Sequence, residues 1–115
     1  MATKAVVVLV TWPGGADVQA FARVLLEARV AACVSALPQM DSFYRWDGRV
    51  ERGRERQLLI KTQAARLEAL RLLVNDLHPY DTPEFLVLPV IGGDERYLDW
   101  IEGAVELGTA PTADS

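Results

Sequence analysis

Two long stretches that favour β structure flank the dipeptide Asp47-Gly48, and no other feature limits the possible folds of this chain as strongly. Asp-Gly is a strong signal for a two-residue type I′ turn, which needs positive φ at both central residues. The flanking arms cover residues 33–46 and 49–62, and Pro38 interrupts the first of them. Since proline cannot donate to a ladder, the first arm is expected to be an edge strand or to carry a bulge there. The sequence therefore predicts one long β-hairpin.

The length of this hairpin bears on assembly. Arms of about 13 residues at about 3.3 Å per residue reach roughly 40 Å, whereas the body of a compact chain of this length is about 35 Å across. The tip, residues 43–54, should therefore project beyond the core, with Tyr44 and Trp46 on one face. Isolated two-stranded ribbons are marginal in water, so we expect the tip to dock on another subunit; a monomer with a free tip is the alternative. Charged residues at 49–56 offer ion pairs between subunits, although a solvated charged face is the commoner outcome.

The remaining segments alternate between strand and helix. An unbroken apolar run at residues 5–10 is typical of a central strand covered on both faces or nearly so, and residues 85–88 predict another strand, bent by Pro89. Apolar residues at helical spacing predict three helices, at 17–29 with Asp17 as the N-cap, at 67–77, and after Gly92-Gly93-Asp94. The inward-facing residues of the third helix are expected to be Tyr97, Leu98, Ile101, Ala104 and Val105.

The order of these elements predicts the architecture. The sequence β-α-β-β-α-β followed by a terminal helix is the split βαβ, ferredoxin-like arrangement. We expect an α+β sandwich in which helices cover one face of an antiparallel sheet. Residues 1–107 should form a single domain, and the small polar residues 108–115 a disordered tail.

Charge and cysteine content exclude several classes of partner. A net charge of −4 and a pI near 4.9 argue against binding to nucleic acid, because no excess of cations is available to displace phosphate counterions. The apolar run at residues 5–10 is far shorter than the ~20 residues that span a bilayer, so no membrane partner is expected. Cys33 is the single cysteine, which excludes an intrachain disulfide and fits a reducing compartment. We therefore expect a cytoplasmic protein.

The segment 78–84, with the sequence HPYDTPE, combines the single histidine with a tyrosine and acidic residues. Pro79 and Pro83 each fix their own φ and push the preceding residue toward extended geometry. The segment should therefore be a rigid loop that presents His78, Tyr80 and Glu84 to a ligand. A helix-to-strand connector whose polar residues satisfy local backbone groups is the alternative.

The loop and the residues expected near it define a candidate ligand pocket. Lys61 ends an apolar stretch and is a possible partner of Glu84. The candidate lining residues are Tyr44, Trp46, Lys61, His78, Tyr80 and Glu84. Aromatic walls with a few converging polar groups describe a small-ligand site and equally describe a wet subunit interface. Cys33 lies in an apolar context that favours a buried, inert thiol over a metal-binding thiolate.

Several of these segments together resemble the CutA family, named for divalent-cation tolerance. The resemblance rests on Ala31-Ala32-Cys33-Val34, Tyr44-Arg45-Trp46-Asp47-Gly48, Lys61-Thr62, the loop 78–84 with Leu88-Pro89, and Tyr97-Leu98-Asp99-Trp100-Ile101. It covers residues 5–105 in order. It implies a ferredoxin-like fold and a tight homotrimer similar to PII signalling proteins, with the long hairpin paired across subunits. No settled catalytic activity and no required cofactor follow from it, so the protein is not expected to be an enzyme.

The resemblance also implies links to copper and other divalent ions, but it carries a metal site over only in part. Where some bacterial members have a cysteine on the first strand, this chain has Val10, and where a second histidine can precede the loop it has Leu77. Cys33 and His78 remain as candidate ligands, with Glu84 as an oxygen donor. The Irving–Williams order makes Cu²⁺ the ion that such a site would hold best.

Three hypotheses about function follow. The first is a trimeric, non-catalytic protein of divalent-metal homeostasis that binds ions weakly in clefts between subunits, chiefly through His78. The second is a PII-like regulator that binds a small anionic metabolite in the same clefts through Lys61 and the hairpin arginines. A stable trimeric scaffold remains if both of these fail. The third is an enzyme in which tyrosine, lysine and glutamate do acid–base work, which no recognisable nucleophile–base pair supports.

Overall fold

A computed structural model describes residues 3–108; most of the predicted disordered tail, residues 109–115, lies outside the described residues. The strands are β1 (Ala5–Pro13), β2 (Cys33–Ala36), β3 (Met40–Trp46), β4 (Arg49–Gln63) and β5 (Leu86–Pro89). The helices are α1 (Gln19–Glu27), α2 (Leu67–Leu77), which follows a short 3₁₀ turn at Ala64–Arg66, and α3 (Glu95–Val105). No helix within residues 3–108 is long and apolar enough to cross a bilayer.

The strands form one antiparallel sheet in the order β2-β4-β1-β5, and β3 extends it by pairing with the outer half of β4. This confirms the α+β, ferredoxin-like prediction. Asp47 (φ 56°) and Gly48 (φ 78°) make the tight turn between β3 and β4, both with the positive φ that a type I′ turn requires. The first arm breaks at Pro38 into β2 and β3, while the second runs unbroken as β4.

The hairpin formed by β3 and the outer half of β4 projects from the body. The described chain measures 57 × 32 × 23 Å, with a radius of gyration of 15.9 Å. A compact chain of this length would have a radius of gyration of about 13 Å. The predicted projection is confirmed.

The main core lies on one face of the sheet, which we call the helix face. α1 and α2 pack there on alternate strand residues, and the buried members are Val6, Val8, Val10, Trp12, Phe21, Leu25, Val30, Ala31, Leu58, Ile60, Leu70 and Val74. Each fully buried Leu or Val contributes about 1.5–3 kcal/mol relative to an exposed one. This packing fixes which side of every strand points away from the helices.

α3 lies on the opposite face, so the prediction that the helices share one face is wrong for this helix. Ile101 and Val105 form a separate small core with Ala5 and Ala32, at one end of the sheet. Tyr97, predicted to face inward, is 44% exposed. Because α3 covers only that end, the remainder of this face, which we call the open face, stays uncovered within the chain. β1, predicted to be covered on both faces or nearly so, buries Val6, Val8 and Val10 against the helices, whereas Val7 and Leu9 on the open face are half-buried.

The ends of β1 and α1 also differ from the prediction. β1 continues past residue 10 to Pro13, because Thr11 and Trp12 pair with the projecting part of β4. α1 stops at Glu27 because Arg29 takes a left-handed φ of 59°. The Arg29 and Val30 amides then bond back to Leu26 and Leu25, a Schellman-type end. Asp17 accepts a hydrogen bond from the Gln19 amide, although the N-cap position itself is Val18.

Candidate functional site

An open cleft of about 770 Å³ separates the inner side of the hairpin from the loop 78–85 that follows α2. It lies at the end of the open face away from α3. The lining residues are Thr11, Met40, Ser42, Tyr44, Trp46, Glu51, Glu55, Gln57, Tyr80, Asp81, Thr82, Pro83 and Glu84. Three of the side chains are aromatic and four are carboxylates.

Strand alternation builds the hairpin wall of the cleft. Tyr44 lies directly opposite Glu51, and Met40 opposite Glu55. Because directly opposed residues share a face and successive residues alternate, Tyr44, Trp46 and the glutamates of β4 point the same way. Arg49, opposite Trp46, shares that face. The arginines at positions 52, 54 and 56 point the other way, where Arg52 pairs with Asp41 at 3.1 Å. The hairpin therefore has one face that carries both glutamates of β4 together with Arg49, and one largely basic face that carries Phe43.

His78 anchors the loop wall. It is 8% exposed, and its Nε2 lies 2.6 Å from the Thr11 carbonyl oxygen. The Tyr80 amide donates to Nδ1 over 3.0 Å, so Nδ1 carries the lone pair and the Nε2 hydrogen is donated to Thr11. The ring also packs edge-on against Trp12, with 4.9 Å between centroids. Both ring nitrogens are thus engaged, and the imidazole fixes where the loop leaves α2.

Two hydrogen bonds then tie the loop to the open face. The Tyr80 hydroxyl donates to Glu55 Oε2 over 2.9 Å, and Gln57 Nε2 donates to Glu84 Oε1 over 2.9 Å. Burial, together with the hydrogen bond to the Glu55 carboxylate and its charge, raises the pKa of Tyr80 to about 12. The phenol is therefore a donor at neutral pH. Glu55 and Glu84 are held in place while keeping acceptor capacity.

All the charged residues that line the cleft are acidic. Glu51, Glu55, Asp81 and Glu84 line it, and no lysine or arginine of the described chain does. Carboxylates attract cations, and aromatic faces favour them as well. The cleft is chemically suited to a positively charged ligand and unsuited to an anion.

The three residues predicted to bind metal lie apart within one chain. His78 packs on the helix face, whereas Glu84 reaches the open face. Cys33 is paired with Lys61, four positions along β4 from Gln57, or about 13 Å at the rise of a strand. Across residues 3–108, no group of three or more histidine, cysteine, aspartate or glutamate side chains is arranged to hold a metal ion.

The predicted ligand pocket is assembled only in part. Tyr44, Trp46 and Tyr80 line the cleft, together with Glu84. Lys61 lies at the α3 end of the open face, where it donates a hydrogen bond to the Tyr97 hydroxyl over 3.0 Å. That bond raises the pKa of Lys61 and keeps it charged.

Sequence reasoning missed several lining residues, of which Glu51, Glu55 and Gln57 matter most for the chemistry. The signal was available, since residues 51, 55 and 57 alternate along one strand and the tight turn at Asp47-Gly48 sets their partners on β3. The density of charge at 49–56 alone does not reveal that Glu51 and Glu55 lie on the face opposite to Arg52, Arg54 and Arg56.

Comparison with known proteins agrees with the fold. The model of the CutA1 divalent ion tolerance protein family matches residues 6–104. The divalent-cation tolerance protein CutA of Pectobacterium atrosepticum is 48% identical over 101 residues, which cover 88% of this chain and 92% of that protein.

Two solved structures have the same architecture. CutA from Xylella fastidiosa superposes with a TM-score of 0.86 at 38% identity, covering 90% of this chain and 100% of that one. The protein described as the periplasmic divalent cation tolerance protein CutA from Archaeoglobus fulgidus gives a TM-score of 0.84 at 31% identity, covering 89% of this chain and 99% of that one. The chain belongs to the CutA1 divalent ion tolerance family.

Proposed function

We propose that this chain acts in divalent-cation tolerance as a non-catalytic homotrimer that binds divalent metal ions weakly at clefts between its subunits. The observation that carries the proposal is the charge of the cleft between the hairpin and the loop 78–85, where four carboxylates meet no lysine or arginine of the described chain. The family name and the relatives named for divalent-cation tolerance support the same kind of ligand.

Assembly is supported by the apolar surface that one chain leaves uncovered. Leu86 and Leu88 on β5 are 54% and 46% exposed, and they lie beside Leu9 and Val7 of β1 on the open face. At the hairpin tip, Phe43 is 69% exposed. Apolar area of this extent on a small domain marks an interaction surface.

The two chemically different faces of the hairpin favour a head-to-tail contact over a two-fold one, and a head-to-tail contact that closes gives a ring. We propose three subunits, the number that the family resemblance implies. A cytoplasmic location belongs to the same proposal and is supported by the free thiol of Cys33.

A divalent ion bound here would also need ligands beyond those that one chain supplies. Divalent ions take several converging oxygen or nitrogen ligands, and one chain does not converge three within its described part. We assign Glu55 and Glu84 as this chain's contribution, with the remaining ligands coming from water or a neighbouring subunit. Binding should be weak for that reason, and strongest for Cu²⁺. His78 would hold the loop, and it would become a ligand only if its two hydrogen bonds broke.

The alternative of an anionic metabolite finds no supporting observation. Lys61 is bonded to Tyr97 outside the cleft, and the arginines at 52, 54 and 56 lie on the far face of the hairpin. Arg49 lies on the cleft side, opposite Trp46, but does not line the cleft.

Sedimentation at micromolar protein tests the assembly, and a single-chain species would contradict it. Calorimetric titration of chelator-stripped protein with Cu²⁺ and Zn²⁺ tests the ligand. Glu55→Gln and Glu84→Gln should each weaken metal binding roughly tenfold, the size of one lost charge-assisted contact. Glu27→Gln, an exposed glutamate at the end of α1, is the matched control. Equal losses in all three variants, or none, would refute the site.

A further inference from the structure

The hairpin leaves the body of the chain at residues 54–57 of β4, which we call the hairpin root. On the body side of the root, β4 pairs with both β1 and β2. Between Glu55 and the turn, β3 is its only partner in the sheet within residues 3–108. A two-stranded ribbon is only marginally stable by itself and twists strongly. The direction in which the hairpin points therefore depends on contacts made at the root.

Gln39 makes the most direct of these contacts. It lies on the β3 side of β4, whereas Gly14 lies on the β1 side, where its amide donates to the Arg54 carbonyl over 2.9 Å. Gln39 Nε2 donates to the Gly14 carbonyl oxygen over 2.7 Å, and Arg54 Nη2 donates to Gln39 Oε1 over 3.0 Å. Since a carbonyl only accepts and a guanidinium only donates, a single orientation of the amide satisfies both groups. Gln39 therefore crosses β4 and joins its two edges.

The other face of the root is held as well. The Tyr80 hydroxyl donates to Glu55 over 2.9 Å. Because successive residues of a strand point to opposite faces, Arg54 and Glu55 present their side chains to opposite sides of the ribbon. Gln39 and Tyr80 thus hold consecutive residues of β4 from opposite sides. Bending of the hairpin toward either face breaks a hydrogen bond.

The length of the hairpin amplifies any change at its root. Seven positions separate Glu55 from Gly48, and the tip therefore lies about 23 Å from the root at the rise of a strand. A rotation of about 10° at the root moves a tip at that distance by about 4 Å. Contacts between subunits are packed as densely as a protein interior. A displacement of this size therefore separates surfaces that would otherwise fit together.

We propose that Gln39 is a positioning residue, which fixes the direction of the hairpin through the Gly14 carbonyl and thereby sets the affinity of one subunit for the next. The part that concerns affinity rests on the assembly proposed above. The part that concerns direction is a property of one chain. Gln39 acts through the hairpin and not by touching the neighbouring subunit.

Gln39→Glu separates the two hydrogen bonds of this side chain. The carboxylate has nearly the same shape and still accepts from Arg54, but it cannot donate to Gly14 and sets two acceptors against each other. Its subunit dissociation constant, measured by sedimentation, should rise about tenfold. Gln39→Met removes both hydrogen bonds without adding a charge, and it should raise the dissociation constant as well.

The direction of the hairpin is measured with spin labels at Val50→Cys, near the tip, and Glu27→Cys, at the end of α1, in a Cys33→Ser background. Labelled chains are diluted with unlabelled ones, so that the distances recorded lie within one chain. The distance distribution should widen or shift by several ångströms in Gln39→Glu and Gln39→Met. Gln19→Glu adds the same charge at an exposed glutamine of α1 and should change neither the distances nor the dissociation constant.

Three results would overturn the proposal. One is an unchanged distance distribution in both Gln39 variants. Another is a changed distribution with an unchanged dissociation constant, because the direction of the hairpin would then not control association. The third is a raised dissociation constant with unchanged distances, because Gln39 would then contact the neighbouring subunit directly. If the intact protein sediments as a single chain, the proposed assembly fails, and the distances still decide whether Gln39 fixes the hairpin.

Discussion

The hydroxyl of Tyr80 donates a hydrogen bond to Glu55 over 2.9 Å and so connects the loop after α2 to the projecting hairpin across the cleft. The loop reaches this position because His78 is fixed beneath it, with Nε2 on the Thr11 carbonyl and Nδ1 on the Tyr80 amide. A residue buried in the helix-face core thereby determines where a carboxylate on the opposite face of the sheet is held.

The pKa of about 12 at Tyr80 predicts a pH dependence of stability. The folded-state pKa stands above the ordinary value of 10.0, so the fold favours the protonated phenol. Its contribution should be complete below pH 10 and lost as pH rises through 12. The difference in unfolding free energy between the intact protein and Tyr80→Phe should therefore shrink over that interval.

The ultraviolet absorbance of tyrosinate gives a direct measurement. Tyr80→Phe should remove the titration step nearest pH 12, and Glu55→Gln should shift that step downward because the accepting carboxylate is gone. A step near pH 12 that survives in Tyr80→Phe would disprove the assignment.

Replacement of His78 tests whether the imidazole is an anchor or a ligand. His78→Ala should cost about 2–4 kcal/mol in unfolding free energy, because it leaves a cavity beside Trp12 and two backbone groups unpaired. His78→Asn should cost less, since its amide oxygen lies where Nδ1 accepts from Tyr80. Urea unfolding measures both variants. Unchanged stability together with complete loss of Cu²⁺ binding would mean that the ring is a metal ligand instead.

Much of the fold could be predicted because the signals are local. Asp47-Gly48 sets the turn, and the turn sets the register of β3 and β4. Because side chains alternate along each strand, this register also determines which residues share each face of the hairpin. Local patterns fail for Lys61, because its surroundings depend on which face of the sheet α3 covers, and packing of Ile101 on Ala5 decides that.

Local sequence patterns also fail to predict the role of His78. A proline-framed loop with one histidine predicts an exposed ligand as readily as a buried anchor. The choice depends on the Thr11 carbonyl, which belongs to a strand 67 residues earlier in the chain. No spacing within the loop contains that information.

Gly14 and Gly15 provide a matched pair of substitutions. A Cβ atom at Gly14 would lie 2.9 Å from the Arg54 carbonyl oxygen and 3.0 Å from its carbon, both backbone atoms. Gly14→Ala should therefore push the β1–α1 turn away from the hairpin and destabilise the protein by about 1–3 kcal/mol. Nothing lies within 4 Å of a Cβ atom at Gly15, so Gly15→Ala should be neutral or stabilising by up to about 1 kcal/mol. Equal effects in denaturant unfolding would show that the contact with Arg54 is not tight.

Substitution of Gly48 tests how much the backbone conformation of the hairpin turn contributes to stability. Its φ is 78°, and a Cβ atom there would meet nothing within 4 Å, so substitution brings backbone strain without a clash. Gly48→Ala should cost about 1–2 kcal/mol, the penalty of left-handed backbone for an L-residue, and Gly48→Asn should cost less because asparagine tolerates that region better. If the tip docks on a neighbouring subunit, the same order should appear in the subunit dissociation constant measured by sedimentation. An alanine variant that unfolds and dissociates like the intact protein would mean that the turn conformation contributes nothing to either equilibrium.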